Sequence, residues 1–246
     1  MISVTILTKN SQETLKETLE SLKHFPEVIL YDTGSTDRTL EVGAGFKNVR
    51  IVEGEFQGFG KTHNAASSLA TYDWILSVDS DEIVSDPLRE EILGLELDQG
   101  AVYSVDRHNY FQGKYIRCCA GWHPDWVLRL YHRKSTRFSE AKVHEAIVTE
   151  GLTVVPLRHR LIHTPYRTIE EFLNKMQLYS TLFAEQNAGK KSSLSKAIGH
   201  GLAAFFKSYV LKRGFLGGRE GFIISLYNGH TAYYKYLKLA FCKARR

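Results

Sequence analysis

Residues 74–82, WILSVDSDE, join an apolar run to an abruptly acidic end. The first five residues predict a buried strand, after which the chain presents Asp79, Asp81 and Glu82, and we call residues 79–82 the acidic cluster. Alone, such a cluster is often a solvated turn that caps the next helix, here one starting near Ser85. Its place directly after a buried strand favours a binding site, because ligands of α/β sheets lie beyond the strand ends.

The residues before this stretch alternate between strand and helix patterns. Apolar runs at residues 3–7, 28–31 and 49–52 are separated by helical segments such as 11–23. Together with residues 74–78 they predict four parallel strands in an α/β sheet. The carboxyl ends of parallel strands meet at one edge, so the polar residues that follow them should converge there. These polar residues are Thr8, Lys9, Asn10, Asp32 and the acidic cluster.

The converging side chains fit a nucleotide-diphosphate sugar. A divalent metal, Mg²⁺ or Mn²⁺, would bridge the phosphates and stabilise the departing diphosphate as a Lewis acid, and both ions prefer carboxylate oxygens. We expect Asp81 to be the direct metal ligand, while Asp79 holds the ribose hydroxyls or a metal-bound water. Asp32 is expected to accept from the uracil N3–H or to hold the ribose. Thr8 and Asn10 are expected to contact the nucleoside.

Four segments, in this order, resemble glycosyltransferase family 2. They are residues 4–10 (VTILTKN), 32–39 (DTGSTDRT), 60–66 (GKTHNAA) and the acidic cluster (DSDE). The resemblance covers the first 85 residues and implies the GT-A fold and transfer with inversion at the sugar. It also implies contacts with the donor nucleotide, diphosphate or metal from Thr8, Asn10, Asp32, Lys61, Asn64 and Asp81.

The later part of the chain resembles the branch of that family that builds the lipopolysaccharide core. The resemblance lies in residues 121–125 (GWHPD), 128–131 (LRLY) and 143–145 (VHE), and more loosely in the tail. We therefore expect an α/β, Rossmann-like GT-A mixed sheet followed by a helical extension. The expected parts are a catalytic domain at 1–165, with a donor half at 1–100 and an acceptor half at 101–165, and a basic helical extension at 166–246.

An inverting transfer needs a carboxylate that takes the proton of the acceptor hydroxyl as it attacks. Many family members use the Asp of a Glu-Asp pair, which this chain lacks. Two candidates remain, Asp125, which is favoured because it falls where that pair would lie, and Glu145. Their alternative roles are a turn residue after Pro124 and a salt bridge. Arg129 is a candidate to neutralise the diphosphate, with a surface ion pair as the alternative. His144 or His163 could complete the metal shell or bind phosphate, with a structural histidine as the alternative.

Composition indicates a globular protein of the cytoplasm. Of the 246 residues, 43% are hydrophobic, which suffices for one large domain with or without an appendage. Three cysteines, two of them adjacent, do not suggest a disulfide framework and so favour a reducing compartment. No uncharged run reaches the roughly 18 residues that would span a bilayer.

Positive charge is concentrated in the last 51 residues. From Lys196 onward there are ten Lys or Arg and one acid, a net charge of +9, whereas the preceding 195 residues sum to −4. Three interpretations are open: a surface that docks on anionic lipid at the inner face of the cytoplasmic membrane, helices packed on the catalytic domain, or nucleic-acid binding. The first is favoured because a lipid-linked acceptor would need it, and no nucleic-acid partner is expected.

The sequence thus predicts a metal-dependent, inverting glycosyltransferase. It would move a sugar, expected to be a hexose, from a UDP- or other nucleotide sugar to a saccharide or glycolipid acceptor in lipopolysaccharide core or cell-envelope glycan synthesis. A nucleotidyltransferase acting on sugar phosphates would use a similar site, but it usually needs a glycine-rich loop after the first strand, and residues 8–11 contain no glycine. A non-catalytic polyanion-binding scaffold would explain the tail but not the acidic edge.

Overall fold

A computed structural model describes residues 1–140 and 146–242. The chain divides into two compact units. The first unit contains Met1–Arg107 and Trp126–His163, and the second contains His108–Asp125 and Thr164–Arg246. The division at residue 164 lies next to the expected end of the catalytic domain at 165. Residues 108–125, expected in the acceptor half, belong to the second unit, and the functional domain limits stay a prediction.

The first unit is built on a sheet whose first four strands are parallel. β1 (Ile2–Thr8) lies between β2 (Glu27–Asp32) and β4 (Trp74–Ser77), and β3 (Val49–Glu53) flanks β2. Parallel strands covered on both faces need apolar side chains on both, which explains the near-continuous apolar runs of β1 and β2. The connecting helices are α1 (Leu15–Ser21), α2 (Thr39–Ala44) and α3 (Phe59–Ser68).

Antiparallel strands complete the sheet. β8 (Trp126–His132) pairs with β4 and with β6 (Ala101–Phe111), and β5 (Glu82–Val84) pairs with β9 (Thr153–Tyr166). Within the described residues the strand order is β3-β2-β1-β4-β8-β6-β9-β5, and α4 (Asp86–Leu93) follows β5 along the chain. The expected mixed α/β sheet is confirmed.

Two details of the later part of the sheet follow from its pairing. Residues 153–166 form the single long strand β9. Pro156 does not interrupt it because β5 pairs with residues 161–163, so that within the described ranges the Pro156 position has no strand partner on that side. Ile147 forms an isolated antiparallel bridge with Phe138.

The second unit is mostly helical, as expected for the extension. It contains β7 (Lys114–Tyr115), α5 (Ile169–Gln186), α6 (Leu194–Phe206), a π-helical turn (Lys207–Leu211) and α7 (Gly218–Phe241). Its core includes the aromatic side chains of Phe111, Trp122 and Phe172. None of the helices in the described part of the chain is both long enough and apolar enough to cross a membrane.

Glycines allow α6 and α7 to pack closely. A Cβ on Gly201 would lie 3.2 Å from the Gly229 carbonyl oxygen, and one on Gly229 would lie 3.1 Å from the Gly201 carbonyl oxygen. A larger residue at either position would push the helices apart. The buried contact between α6 and α7 is therefore made by small residues, while many of the large apolar side chains of α6 lie on its exposed face.

Candidate functional site

The carboxyl ends of β1, β2 and β4 meet at one edge of the first unit's sheet. Thr8 lies opposite Asp32 in the β1–β2 register, and Thr5 lies opposite Ser77 in the β1–β4 register. The Thr33 amide donates to the Thr8 carbonyl at 3.0 Å. The structure thus brings the polar strand ends together with the acidic cluster, as the parallel strand pattern predicts.

Asp32 fixes the shape of the turn after β2. Its carboxylate accepts hydrogen bonds from the backbone amides of Gly34 at 2.9 Å and Ser35 at 2.8 Å, and from the Ser35 hydroxyl. Gly34 has a φ of +96°, a conformation that residues with a Cβ rarely adopt. Asp32 is only 1% exposed, and its carboxylate stabilises its own loop through these hydrogen bonds. Its contact with a nucleoside stays a prediction.

Asn10 and Thr8 complete this edge at the end of β1. The Asn10 Oδ1 accepts from the Thr36 amide at 2.8 Å, and the Asn10 amide donates to the Ser35 hydroxyl at 2.8 Å. The Thr8 hydroxyl is buried and has no hydrogen-bond partner within residues 1–140 and 146–242. Because buried polar atoms are normally paired, this hydroxyl is a group that a bound ligand could satisfy.

The acidic cluster splits into two parts, and the first part is neutralised. Glu82 is fully buried and pairs with Arg129 and, at 3.0 Å, with Arg107. Asp79 pairs with Arg129 at 2.6 Å and lies 3.7 Å from Arg107. Two guanidinium groups therefore balance two carboxylates. The expected support of phosphate or metal by Arg129 stays a prediction, and the sequence carries no signal that identifies Arg107 as its companion.

The two neutralised carboxyl groups differ in their affinity for protons. Burial favours the protonated form of Asp79, but Arg129, with smaller contributions from His63 and Arg107, holds the pKa of Asp79 well below its usual range. Burial raises the pKa of Glu82, and the nearby negative charge of Asp79 raises it further against the pull of Arg129. Of two carboxyls that share the same cations, Asp79 is therefore the one that stays ionised most firmly.

Asp81 takes no part in the arginine network. Its Oδ2 lies 3.4 Å from His163 Nε2, and 32% of its side chain is exposed. His163 is held opposite Glu82 in the β5–β9 register. On the other side of Asp81, the Ser80 carbonyl accepts from the Thr18 hydroxyl at 3.0 Å, which fixes the turn. The result is a carboxylate and an imidazole side by side at the sheet edge.

This pair fits a divalent ion that takes its remaining ligands from elsewhere. Within the described ranges no group of three or more His, Cys, Asp or Glu forms a complete protein cage for a metal. Mg²⁺ and Mn²⁺ do not require one, since Mg²⁺ in phosphate-processing sites usually binds one or two carboxylates plus substrate phosphates and water.

Helix α3 carries Lys61 and Asn64, the two other residues expected to contact the donor. The Asn64 amide group donates to the Phe138 carbonyl and accepts from the Phe138 amide, both at 2.9 Å. The exposed Lys61 lies 3.7 Å from Glu140. Asn64 is thus occupied in anchoring a neighbouring segment, whereas Lys61 lies at the surface. Contacts of both residues with a donor stay predictions.

His63 is a site residue that the motif 60–66 contains but that sequence reasoning does not single out. It is buried, stacks on the Phe138 ring with centroids 4.3 Å apart, and has its Nδ1 3.3 Å from the Ser77 hydroxyl. Burial lowers the pKa of His63 to about 4, Asp79 opposes this shift, and Arg129 adds to it. The imidazole is therefore neutral at physiological pH.

Asp125, the favoured candidate base, belongs to the second unit. Its Oδ2 accepts from Asn109 Nδ2 at 2.8 Å, and the same Nδ2 donates to the Trp122 carbonyl at 2.9 Å. This bond orients a partly exposed carboxylate. His144 and Glu145 lie outside the described residues, and the roles of all three stay predictions.

A family model and similar curated proteins all describe glycosyltransferases. The family model "Glycosyl transferase family 2" matches residues 3–152. The lipopolysaccharide core biosynthesis glycosyltransferase LpsC of Rhizobium meliloti is 29% identical over 238 residues, which cover 90% of this chain and 85% of LpsC. An uncharacterized glycosyltransferase of Rickettsia bellii is 27% identical over 259 residues, which cover 97% of this chain and 85% of that protein.

Solved structures show the same fold. The mannosyltransferase PcManGT from Pyrobaculum calidifontis, in complex with GDP-Man and Mn²⁺, superposes with a TM-score of 0.54 at 14% identity, covering 94% of this chain and 85% of that one. Residues 1–349 of TarS from S. aureus, in complex with UDP-GlcNAc, give a TM-score of 0.52 at 19% identity, covering 94% and 81%. The expected GT-A architecture is confirmed.

The buried His63 should make stability depend on pH. Because its folded pKa of about 4 lies below the ordinary value of 6.5, the unfolded state takes up the proton first as pH falls. The free energy of unfolding should therefore drop by about 2 kcal/mol more, between pH 7.5 and pH 5, in the wild type than in His63→Gln. Urea denaturation at both pH values measures this, and the exposed His24→Gln variant should behave as the wild type. Equal pH dependence of wild type and His63→Gln would contradict the neutral, buried imidazole.

Proposed function

This chain belongs to glycosyltransferase family 2, and we propose that it moves a hexose from a nucleotide-diphosphate sugar, most simply a UDP-sugar, to a saccharide acceptor with inversion at the anomeric carbon. The observation that carries this proposal is the division of the acidic cluster. Arg129 and Arg107 neutralise Asp79 and Glu82, so Asp81 is the carboxylate of the cluster left to meet a metal-bound diphosphate.

Asp81 and His163 would hold the metal, which supplies Lewis-acid stabilisation of the departing diphosphate. The imidazole is a softer ligand than a carboxylate and favours Mn²⁺ over Mg²⁺. Support comes from PcManGT, a protein of the same fold that binds GDP-Man and Mn²⁺. The neutralised Asp79 would sit beside the ion and accept from a ribose hydroxyl or a metal-bound water. The Thr8 hydroxyl has no hydrogen-bond partner in the described part of the chain, and it would meet the nucleoside at the same edge as the Asp32 carboxylate.

Removal of the Asp81 charge should strongly reduce metal-dependent turnover while leaving the fold intact. For Asp81→Asn we expect kcat for release of UDP from a UDP-sugar with Mn²⁺ to fall about 10²–10³-fold, because the charge that builds up on the diphosphate loses its support. The urea midpoint should not change, since Asp81 forms no ion pair with Arg129 or Arg107 in the described part of the chain.

Asp86→Asn is the matched control, because it removes an equally negative but exposed side chain at the start of α4. It should turn over like the wild type. EDTA should abolish the release of UDP by the wild type, and added Mn²⁺ should restore that activity. Wild-type rates in Asp81→Asn would refute the metal role.

Asp125 is the proposed base that takes the proton of the acceptor hydroxyl. The side-chain amide of Asn109 holds the Asp125 carboxylate in one orientation. A fixed orientation is needed because a catalytic group must be aligned with the reacting atoms. General bases contribute roughly 10²–10⁴-fold to rate. Glu145 is the competing candidate.

The two candidates can be separated by their pH profiles. Asp125→Asn should lower kcat/KM for the acceptor by about 10²-fold or more and remove the acidic limb of the pH–rate curve. Glu145→Gln should keep both the rate and the limb. The opposite pattern would assign the base to Glu145, and two wild-type-like profiles would exclude both.

For the acceptor we propose a glycolipid or related saccharide of the cell envelope. The similarity to LpsC over 90% of the chain supports a role in lipopolysaccharide core synthesis. An acceptor anchored in a membrane would require the enzyme to work at a lipid surface, and we propose that the second unit provides that contact on the cytoplasmic side.

The exposed face of α6 supports this contact. Leu194, Ile198, Leu202 and Phe206 recur every fourth residue, so they lie on one face of the helix, and Leu202 is 67% exposed. Val210, Leu211, Phe215 and Leu216 continue the exposed apolar surface beyond the helix, and we call these eight residues the apolar stripe. Large exposed apolar patches mark protein or membrane contacts.

Cations accompany the apolar stripe. Lys196, Lys207, Lys212 and Arg213 belong to the same segment, which lacks acidic residues from 194 to 216. An apolar face flanked by cations matches the headgroup region of an anionic bilayer, where each cation contributes roughly 1 kcal/mol at low salt. A protein partner would have to be equally apolar and acidic.

Polar substitution in the apolar stripe should release the protein from lipid. The wild type should sediment with phosphatidylglycerol vesicles, less with phosphatidylcholine vesicles, and less again at high salt. Leu202→Gln with Leu216→Gln should remain in the supernatant, because the inserted apolar area is lost. The control Leu93→Gln, in the first unit and also half-exposed, should sediment like the wild type. Vesicle binding that survives the double substitution would overturn the proposed membrane face.

A further inference from the structure

A basic cleft of about 700 Å³ opens within the second unit. Residues 114–118 form one wall, residues 211–213 with 216 and 217 form a second wall, and His123 and Pro124 also line it. Its size is that of sites for small organic ligands. Neither the donor site nor the proposed base accounts for it.

The cleft has an excess of positive charge. Arg117, Lys212 and Arg213 line it and pair with no carboxylate in the described part of the chain. Lys114 is the exception, since Glu220 binds it at 3.0 Å. Three like charges in one cleft repel one another unless an anion joins them, so the arrangement favours an anionic ligand.

The cleft also carries surfaces suited to a sugar ring. The Tyr115 ring stacks on His108 with centroids 4.0 Å apart, and the Arg117 guanidinium lies 5.4 Å from the Tyr115 centroid. Leu216, which is 68% exposed, supplies an apolar patch. An aromatic ring and an apolar side chain next to cations suit a saccharide that bears an anionic group better than a bare ion.

The wall that holds two of the cations is rigid. Arg213 has a φ of +55°, which a residue with a Cβ adopts only when its surroundings enforce it. A Cβ on Gly214 would lie 2.6 Å from the Ser225 hydroxyl and 2.9 Å from the Ser208 carbonyl oxygen, so this turn is tightly packed. The Cys119 amide also donates to the Lys212 carbonyl at 3.1 Å, which ties this wall to residues 118–119. The cations are thus presented on a preformed backbone.

The cleft adjoins the proposed base along the chain. Pro124 lines it, Asp125 is the next residue, and Asn109 orients the Asp125 carboxylate. A saccharide seated in the cleft would therefore reach toward that carboxylate. We propose that the cleft is the acceptor subsite for a phosphate or carboxylate group carried by the acceptor saccharide, with Arg117, Lys212 and Arg213 as its specificity-determining cations. This assignment rests on the proposed transferase function.

Calorimetric titration of the full chain with small probes tests the subsite directly. Glucose 6-phosphate and glucuronate should bind at low salt, and glucose should give no heat, because guanidinium groups recognise phosphate and carboxylate through paired charge-assisted hydrogen bonds. Arg117→Gln with Lys212→Gln should weaken the affinity for glucose 6-phosphate about tenfold. Arg213→Asn removes the third charge with a residue that tolerates the left-handed backbone, and it should weaken binding in the same direction.

Controls separate loss of the site from loss of the fold. Lys191→Gln, an exposed cation of the second unit outside the cleft, should bind glucose 6-phosphate like the wild type. The cleft variants should keep the near-UV circular dichroism and the metal-dependent UDP-sugar hydrolysis of the wild type, since they lie outside the donor machinery. Equal binding of glucose and glucose 6-phosphate, or wild-type affinity in the cleft variants, would overturn the subsite.

The remaining outcomes distinguish this inference from the function on which it rests. Hydrolysis of UDP-sugar with no binding of either anion would reject the subsite and leave the transferase proposal standing. Binding of glucose 6-phosphate through these cations with no turnover of any UDP-sugar would reject the transferase and with it the acceptor role. Binding of phosphatidylglycerol vesicles that needs Arg117 and Lys212, without binding of glucose 6-phosphate, would make the cleft a lipid headgroup site and reject the saccharide.

Discussion

Glu82 is fully buried between Arg129 and Arg107, and the arrangement of the whole sheet edge depends on this neutralisation. A carboxylate removed from water loses its hydration, and only close, well-aligned cations offset that loss. Arg129 also binds Asp79, so one guanidinium ties the end of β4 to the start of β5. If Arg129 were lost, two carboxylates would face each other with a single cation, and the turn that carries Asp81 would lose its support.

The same network determines which carboxylate of the acidic cluster can bind a metal ion. An acidic cluster read as a row of equal carboxylates would attract metal at any of them. In the structure two of the three acids are already balanced, and the third, Asp81, stands beside His163 at the surface. The electrostatic field at the edge is therefore less negative than the sequence implies. A phosphate-bearing ligand would approach it with less repulsion, which suits a donor diphosphate held through one metal ion.

The two units contribute different surfaces to the proposed reaction. The first unit carries the polar strand ends, where hydrogen bonds fix each loop. The second carries the apolar stripe, the basic cleft and Asp125. Part of the +9 charge of the last 51 residues lies in this cleft, on Lys212 and Arg213. Leu211 and Leu216 belong to both the stripe and the rim of the cleft. A membrane-anchored, anionic saccharide is the kind of acceptor that would use both surfaces at once.

The sequence by itself determined the parallel strands, the edge on which Thr8, Asp32 and the acidic cluster meet, and the family. These follow from local apolar periodicity and from short motifs whose residues are close neighbours in the chain. It could not assign the partner of each carboxylate, because Arg107 lies 25 residues and Arg129 lies 47 residues beyond Glu82 with no pattern linking them. Nor could it show that Asn64 anchors Phe138, that Pro156 leaves β9 unbroken, or that residues 108–125 join the C-terminal helices. Those outcomes depend on long-range packing and burial, which only the tertiary structure decides.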